Sequence, residues 1–419
     1  MVNEDLKVPG AKPAAKPAAA RPRRWPLHAD DVRGLLRLGV QAVTGATDVV
    51  EAMHHTIASR PAPLGTPPAG RTRGLTGFVY GAVRGTTRLV GHGLEWAGAL
   101  LPDSDAPSTP RREAWRAALN GVQGDHLADS GNPLAIPMQL RIGGRPWRER
   151  VGPAPGGRIL VLVHGLAMND LQWSRHGHDH GQALARDAGW TPVYLHYNSG
   201  RHVAQNGREF SDQLAELVAA WPVPVRELAI VGHSMGGLVA RSACQLGARK
   251  AWRRKLSSLV CLGTPHHGAP LERGGRLVDV LLGVSPYAAP LARLGKRRSA
   301  GITDLRYGNL QDAEVAQRSR HDQAHDDRRP TPLPRGVEVY FVAATTAVVA
   351  QSTGRLHHRL HQRLLGDGLV PLASALGEHP DPALALPLPA DHRLVVPKAN
   401  HWDLLNHPTV DAALHRWLA

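Results

Sequence analysis

Leu228-Ala229-Ile230-Val231-Gly232-His233-Ser234-Met235-Gly236-Gly237-Leu238 decides the reading of this 419-residue chain. Four apolar residues suited to a strand lead into Gly-x-Ser-x-Gly, and a helix-compatible run, Leu238 to Leu246, follows. A serine on so sharp a strand-to-helix turn is pushed out at the carboxyl edge of a sheet. There, beside a helix N-terminus, its hydroxyl can be activated and an oxyanion can be held. Gly232 and Gly236 leave room for the turn because they carry no side chain. A bare Gly-x-Ser-x-Gly is common, but one with a strand before it, a helix after it and a third glycine is far more specific.

Working outward, strand and helix patterns alternate. Strands are expected at Ile136–Ile142, Ile159–Val163, Pro192–Tyr197, Leu228–Val231, Leu256–Leu262, Val337–Ala344 and Arg393–Val396. Helices are expected near 180–188, 207–220, 235–249 and 408–418. This alternation predicts a mainly parallel sheet with helices on both faces, in a domain spanning 112–419. Residues 268–330 interrupt the pattern with mixed polar and apolar sequence and read as a cap insert.

A serine nucleophile needs a base, an orienting acid and oxyanion donors. On such a sheet the chain order is serine, acid, histidine. The acid expected is Asp367, in Gly366-Asp367-Gly368-Leu369-Val370-Pro371, after the strand at 337–344. Asp304, which precedes that strand, and Asp381 and Asp391, in Pro-rich loops, compete less well. The base expected is His401, between the last strand and the final helix, with His407 as its rival. Asp403 is too close in sequence to reach the far side of the His401 ring. The oxyanion donors expected are the backbone amides of Met235 and of Leu166, or of Ala167 if the loop is shifted by one. His164 is expected only to shape that loop.

Together His164-Gly165-Leu166, Gly232-His233-Ser234-Met235-Gly236-Gly237, Leu262-Gly263-Thr264-Pro265-His266-His267-Gly268, the Asp367 turn and His401 resemble the α/β-hydrolase superfamily. Within it they resemble bacterial lipases and the lipase-like hydrolases related to inositol deacylases. The resemblance covers about residues 112–419. It implies an α/β-hydrolase fold and cleavage of carboxylic esters, acyl lipids among them, through a Ser-His-Asp triad and an acyl-enzyme. An acyltransferase or thioesterase would use the same triad and differ only in the acceptor. A reading from another class is a membrane- or granule-binding protein with a vestigial hydrolase fold. The intact set Ser234, Asp367, His401 argues against it.

Composition bounds the rest. A net charge of +15 favours anionic surfaces, although the abundance of Arg, Ala, Gly and Pro fits a general compositional bias better. No helix-turn-helix or Cys/His finger suggests nucleic acid as a partner. Cys244 and Cys261 fall in apolar helix and strand patterns and read as small core residues, which favours a reducing compartment. Residues 1–24 lack the apolar core of an export signal, so the location expected is cytoplasmic, at most peripheral at a membrane.

Residues 1–27 read as a disordered basic tail. Residues 28–105 read as a helical hairpin, with helices at 30–58 and 75–101 around a Pro/Gly-rich linker at 59–73. Gly77, Gly81 and Gly85 on the second helix would let another helix approach closely. The hairpin packs on protein, or lies on a membrane through residues 28–101. His176-Gly177-His178-Asp179-His180 has alternating histidines, but no cysteine lies nearby and no distant ligand is evident, so no metal or cofactor is expected.

Overall fold

A computed structural model describes residues 28–58, 72–100, 108–150, 154–269, 299–311, 328–347 and 366–419. The tail at 1–27, most of the linker at 59–73 and most of the insert at 268–330 lie outside the described residues. The chain divides into two compact units, Met1–Ala106 and Pro107–Ala419.

The larger unit is built on one eight-stranded sheet in the order β2-β1-β4-β3-β5-β6-β7-β8. The strands are β1 (Gln139–Ile142), β2 (Arg145–Pro146), β3 (Arg158–Val163), β4 (Thr191–His196), β5 (Glu227–His233), β6 (Leu256–Leu262), β7 (Glu338–Thr345) and β8 (Arg393–Pro397). β1 runs antiparallel to β2 and β4, and every other pairing is parallel. The short β2 was not evident from sequence. It forms because Gly143 and Gly144, at φ 59° and 77°, close a two-residue turn that only glycine enters freely.

The parallel strands read as unbroken apolar runs because both faces are covered. Ile159, Val161 and Val163 of β3 and Leu228 and Ile230 of β5 point into one core. That core is shared with Phe210, Leu214 and Leu217 of α5 (Val203–Ala220) and Leu238 and Val239 of α6 (Met235–Leu246). Leu160, Leu162, Ala229 and Val231 point the other way. They meet Leu184 of α4 (His180–Ala188) and Val410 and Leu414 of α9 (Pro408–Trp417). Cys244 and Cys261 are buried and free, and burial pushes their thiols up to about 11 and 12. Two short helices complete the unit, α7 (Ala300–Asp304) and α8 (Leu372–Ala375).

One long element was not expected from sequence: α3 (Pro110–Asp129). Thr109 caps it by accepting from the Arg112 amide, and proline at its first position suits the helix start. Its glycines serve packing. A Cβ on Gly121 would sit 2.7 Å from Ala167 Cβ, and one on Gly124 would sit 1.8 Å from Asn198 Oδ1. α3 therefore lies directly on the loops that follow β3 and β4.

In the smaller unit, α1 (Ala29–Ala58) and α2 (Gly74–Ala99) pack together. The inter-helix side chains include an ion cluster. Arg84 pairs with Glu51 and, at 3.1 Å, with Asp48, while Thr72 donates to Glu51 at 2.8 Å. The close approach is at Gly91, where a Cβ would lie 2.9 Å from Val40. Gly81 and Gly85 face open space, so the expected glycine stripe is not the contact. No helix of the described residues is long and apolar enough to cross a membrane.

Candidate active site

Six parallel strands end on the same edge of the sheet, and the expected site residues all lie at that edge. β5 delivers Ser234 at φ 55°, ψ −126°, between the last strand residue and the first residue of α6. A non-glycine residue in that region costs about 1–3 kcal/mol and persists only where its surroundings enforce it. Here they do. The Ser234 amide donates to Leu262 O at 2.8 Å. A Cβ on Gly232 would lie 2.6 Å from Gly237, one on Gly236 2.1 Å from Val163 O, and one on Gly237 2.0 Å from Thr264 Oγ1. The turn is thus locked between the ends of β3, β5 and β6.

Asp367 and His401 come together as a buried pair. His401 Nδ1–H donates to Asp367 Oδ2 at 2.6 Å. The other carboxylate oxygen accepts from the amides of Leu369, at 3.0 Å, and Val370, at 2.8 Å. The glycine turn thus fixes the acid from behind. The His401 amide also donates to Asp367 O at 3.1 Å. Gly263, at φ 57°, lies so close that a Cβ there would be 3.1 Å from the ring. His401 Nε2 is buried without a hydrogen-bond partner, and the structure forms no bond between it and Ser234. Catalytic contacts of this kind are often long until substrate is bound.

The rivals have other tasks. Asp304 accepts from the Val203 amide at the start of α5, at 2.8 Å, and from His202 at 3.1 Å. Asp381 and Asp391 are exposed. Asp403 accepts from the Asn400 amide, and His407 caps α9 through the Thr409 amide.

At the end of β3 the loop bends at Ala167, φ 59°, and the Ala167 amide donates to Ser199 Oγ at 2.9 Å. That commits Ala167. The amides of Leu166 and Met235 donate to no acceptor among the described residues. His164 Nδ1 donates to Gly165 O at 2.8 Å, and its ring stacks on Tyr197 at 4.3 Å. Burial pushes it down to about 3, so it is neutral and shapes the loop.

Sequence reasoning missed three supports. Ser199 ties up the competing amide. His233 donates from Nε2 to His401 O at 3.1 Å, with ring centroids 4.7 Å apart. Burial, then the nearby His401, hold His233 well below the usual imidazole range. Lastly, Asp170, in the segment after β3, pairs with His196 at 3.0 Å and with Arg141 at 3.3 Å. Burial alone would raise Asp170, but its bond to His196 and the surrounding positive charge bring it below the usual carboxylate range. The local signal in all three was only a polar residue at or after the end of a strand.

Residues 154–313 match the family described as the PGAP1-like alpha/beta domain. No curated protein matches the chain. Solved structures similar to it include the mature lipase BlEst2 of Bacillus licheniformis, 18% identical, with 68% of this chain and 98% of that one covered and a TM-score of 0.41. The esterase Pf2001 of Pyrococcus furiosus is 12% identical, with 64% and 85% covered and a TM-score of 0.35. The NocB thioesterase domain of the nocardicin cluster is 18% identical, with 62% and 94% covered and a TM-score of 0.34. The strand order, the elbow and the family match together give the larger unit an α/β-hydrolase fold, with residues 154–313 similar to the PGAP1-like alpha/beta domain.

Proposed function

We propose that this chain is a serine hydrolase that cleaves carboxylic esters of acyl lipids through Ser234, His401 and Asp367. The observation that carries this reading is a strained Ser234 at the strand–helix turn, on the sheet edge that also holds the coupled Asp367–His401 pair. His401 Nε2 takes the proton of Ser234 as Oγ attacks the ester carbonyl. The negative charge that develops on the carbonyl oxygen is held by the Leu166 and Met235 amides, each donor worth about 3 kcal/mol in the transition state. His401 then protonates the leaving alcohol, and an acyl-serine remains. Water repeats the cycle: His401 takes its proton, hydroxide attacks the acyl carbon, and Ser234 leaves with the proton. Asp367 keeps the His401 proton on Nδ1 and supports the imidazolium.

A fluorophosphonate probe and a series of p-nitrophenyl esters test this. Wild type is expected to label and to turn over esters, and Ser234→Ala to do neither. Equal labelling of Ser234→Ala would overturn the reading, as would wild type that neither labels nor turns over. Added thiols and alcohols separate hydrolysis from acyl transfer: products that keep the acyl group on the acceptor mark a transferase.

The acyl-lipid part rests on the hairpin, which is turned inside out. Its buried positions include Arg84 and Glu51. Its exposed ones include Leu75 at 80%, Phe78 at 73% and Trp96 at 70%. At 100° per residue the exposed apolar residues of α2 fall within an arc of about 160°. Leu35, Val43 and Val50 add a half-exposed apolar strip on α1. A lipid surface is the occupant we propose, because the exposed arc is apolar and the chain carries +15 charge toward anionic headgroups. The protein would then act as a peripheral enzyme in a reducing compartment. Full-length protein is expected to float with anionic vesicles, and Phe78→Ser/Trp96→Ser to stay behind. Equal flotation, or dimerisation that the double variant abolishes in the absence of vesicles, would overturn it.

A further inference from the structure

The histidine-rich segment before α4 has an unexpected neighbour. Arg175 and His178 bond to each other through both amides, at 2.8 and 2.9 Å, around a two-residue turn. His176 and Gly177 occupy that turn at φ 49° and 79°, as its geometry requires. His178 and His180 then share one side of the chain. Asp179, between them, points the other way and binds the Tyr194 hydroxyl and the Gln182 amide. Asp411, on the first turn of α9, meets the two rings. His178 Nε2 lies 2.9 Å from His180 Nδ1 and 3.3 Å from Asp411 Oδ1, and His180 Nδ1 lies 3.2 Å from Asp411 Oδ1.

Three electron-pair donors at the corners of so small a triangle need something at its centre. His180 is fully buried, and its Nε2–H donates to Leu404 O at 3.0 Å, which turns the Nδ1 lone pair into the triangle. A proton on His178 Nε2 can point at one acceptor or be shared by two. The His180 nitrogen and the Asp411 oxygen still face each other as lone pairs at 3.2 Å. Moving the proton to His180 Nδ1 only transfers that conflict to His178 and Asp411. A cation satisfies all three at once. Bonds of about 2.0–2.1 Å in a tetrahedral arrangement place ligand atoms about 3.3 Å apart, close to the distances found.

We propose that His178, His180 and Asp411 form a site for a divalent transition-metal ion of the zinc type, with solvent completing the coordination. Two imidazoles and one carboxylate suit zinc, whereas calcium and magnesium prefer an all-oxygen set. The Leu404 carbonyl supplies the outer bond that fixes a metal-binding histidine in the right tautomer. His415 stays out of the set: its Nδ1–H donates to the Asp411 carbonyl at 2.9 Å, and its Nε2 faces Asp187 at 3.4 Å. His178 and Asp411 are partly exposed, so an ion has a way in. Its place in the fold is a clamp. It would join the loop before α4 to the C-terminal helix, and it would hold the Leu404 carbonyl three residues after His401. The site does not depend on ester hydrolysis.

Zinc titration into chelator-treated full-length protein tests the site without reference to activity. Wild type is expected to bind one ion per chain with micromolar or tighter affinity and to melt at a higher temperature with zinc than without. His178→Ala and Asp411→Asn, both at partly exposed positions, are expected to keep the fold by circular dichroism, lose at least thirtyfold in affinity and show no zinc-dependent melting shift. Magnesium and calcium should give no shift in any form. Cobalt(II) should give wild type, and not the variants, visible absorption of a four- or five-coordinate ion. Wild type that binds no more zinc than the two variants, or variants that keep the melting shift, would overturn the proposal.

Discussion

At the elbow, a Cβ on Gly232, Gly236 or Gly237 would fall within 2.6 Å of another part of the chain, whereas Gly81 and Gly85 on α2 face open space. The same contrast holds for burial. The hydrolase domain hides long apolar runs and places its polar side chains at strand ends. The hairpin hides Arg84 and Glu51 and exposes Phe78 and Trp96. One region obeys the usual partition between core and water, and the other reverses it. Packing density fixes backbone at the elbow, while on the hairpin the exposed apolar surface calls for a partner.

The comparison breaks hardest at the acid. Asp367→Asn keeps the acceptor for the Leu369 and Val370 amides but turns an N–H₂ toward His401 Nδ1. The ring is then driven to the wrong tautomer, and kcat should fall on the order of 10⁴-fold with little change in melting temperature. A fall of less than tenfold would mean that Asp367 does not serve His401. No substitution confined to the hairpin's exposed face should approach that loss on a soluble ester.

Next comes packing. Gly236→Ala would set a methyl 2.1 Å from Val163 O and 2.6 Å from His164 O, both backbone atoms of a central strand and its loop. Neither can swing aside, so a destabilisation of about 3 kcal/mol or more is expected from denaturant unfolding. An unchanged midpoint would show that the turn is looser than its contacts imply.

The third effect is acid lability of the hydrolase domain. His164 and His233 are held below the usual imidazole range by burial before any other cause, and so is His266. Below about pH 6.5 the unfolded chain binds protons that these buried rings refuse. Stability is therefore present above that value and drains as pH falls. Each ring contributes about 1.4 kcal/mol per pH unit, and His164 does so down to about pH 3. His164→Asn should flatten the loss between pH 6 and 4 by about one ring's share, read from urea midpoints. An identical slope in the variant would remove His164 from the account.

How much of this was legible in the sequence follows from range. The elbow, the seven strands and the Asp367 turn are written in residues within a few positions of each other, and periodicity captures such patterns. Helix α3 was missed because Gly121 and Gly124 look like loop residues until Ala167 and Asn198 are seen against them. Asp411 lies 231 positions from His180, a pairing that only the folded sheet creates. For α2 the apolar period was visible, but a period does not say which side faces inward. Ser199 and His233 were invisible for a related reason, since each acts through a backbone atom of another loop.

The smallest effect is the one that separates the two regions by sign. Gly81→Ala and Gly85→Ala add a methyl to an exposed helical site with nothing within 4 Å. Alanine restricts the unfolded chain more than glycine does, so each should stabilise α2 by about 0.5–1 kcal/mol. Gly91→Ala, on the same helix, should destabilise it by a similar amount because Val40 stands 2.9 Å from the new methyl and cannot rotate clear. Hydrogen exchange of α2 amides in the full chain reads both: slower for the first two variants, faster for the third. Slower exchange in all three would show that α2 is not held against α1 at Gly91. Faster exchange in all three would place a partner surface over Gly81 and Gly85, and the open face of the hairpin would then already be covered.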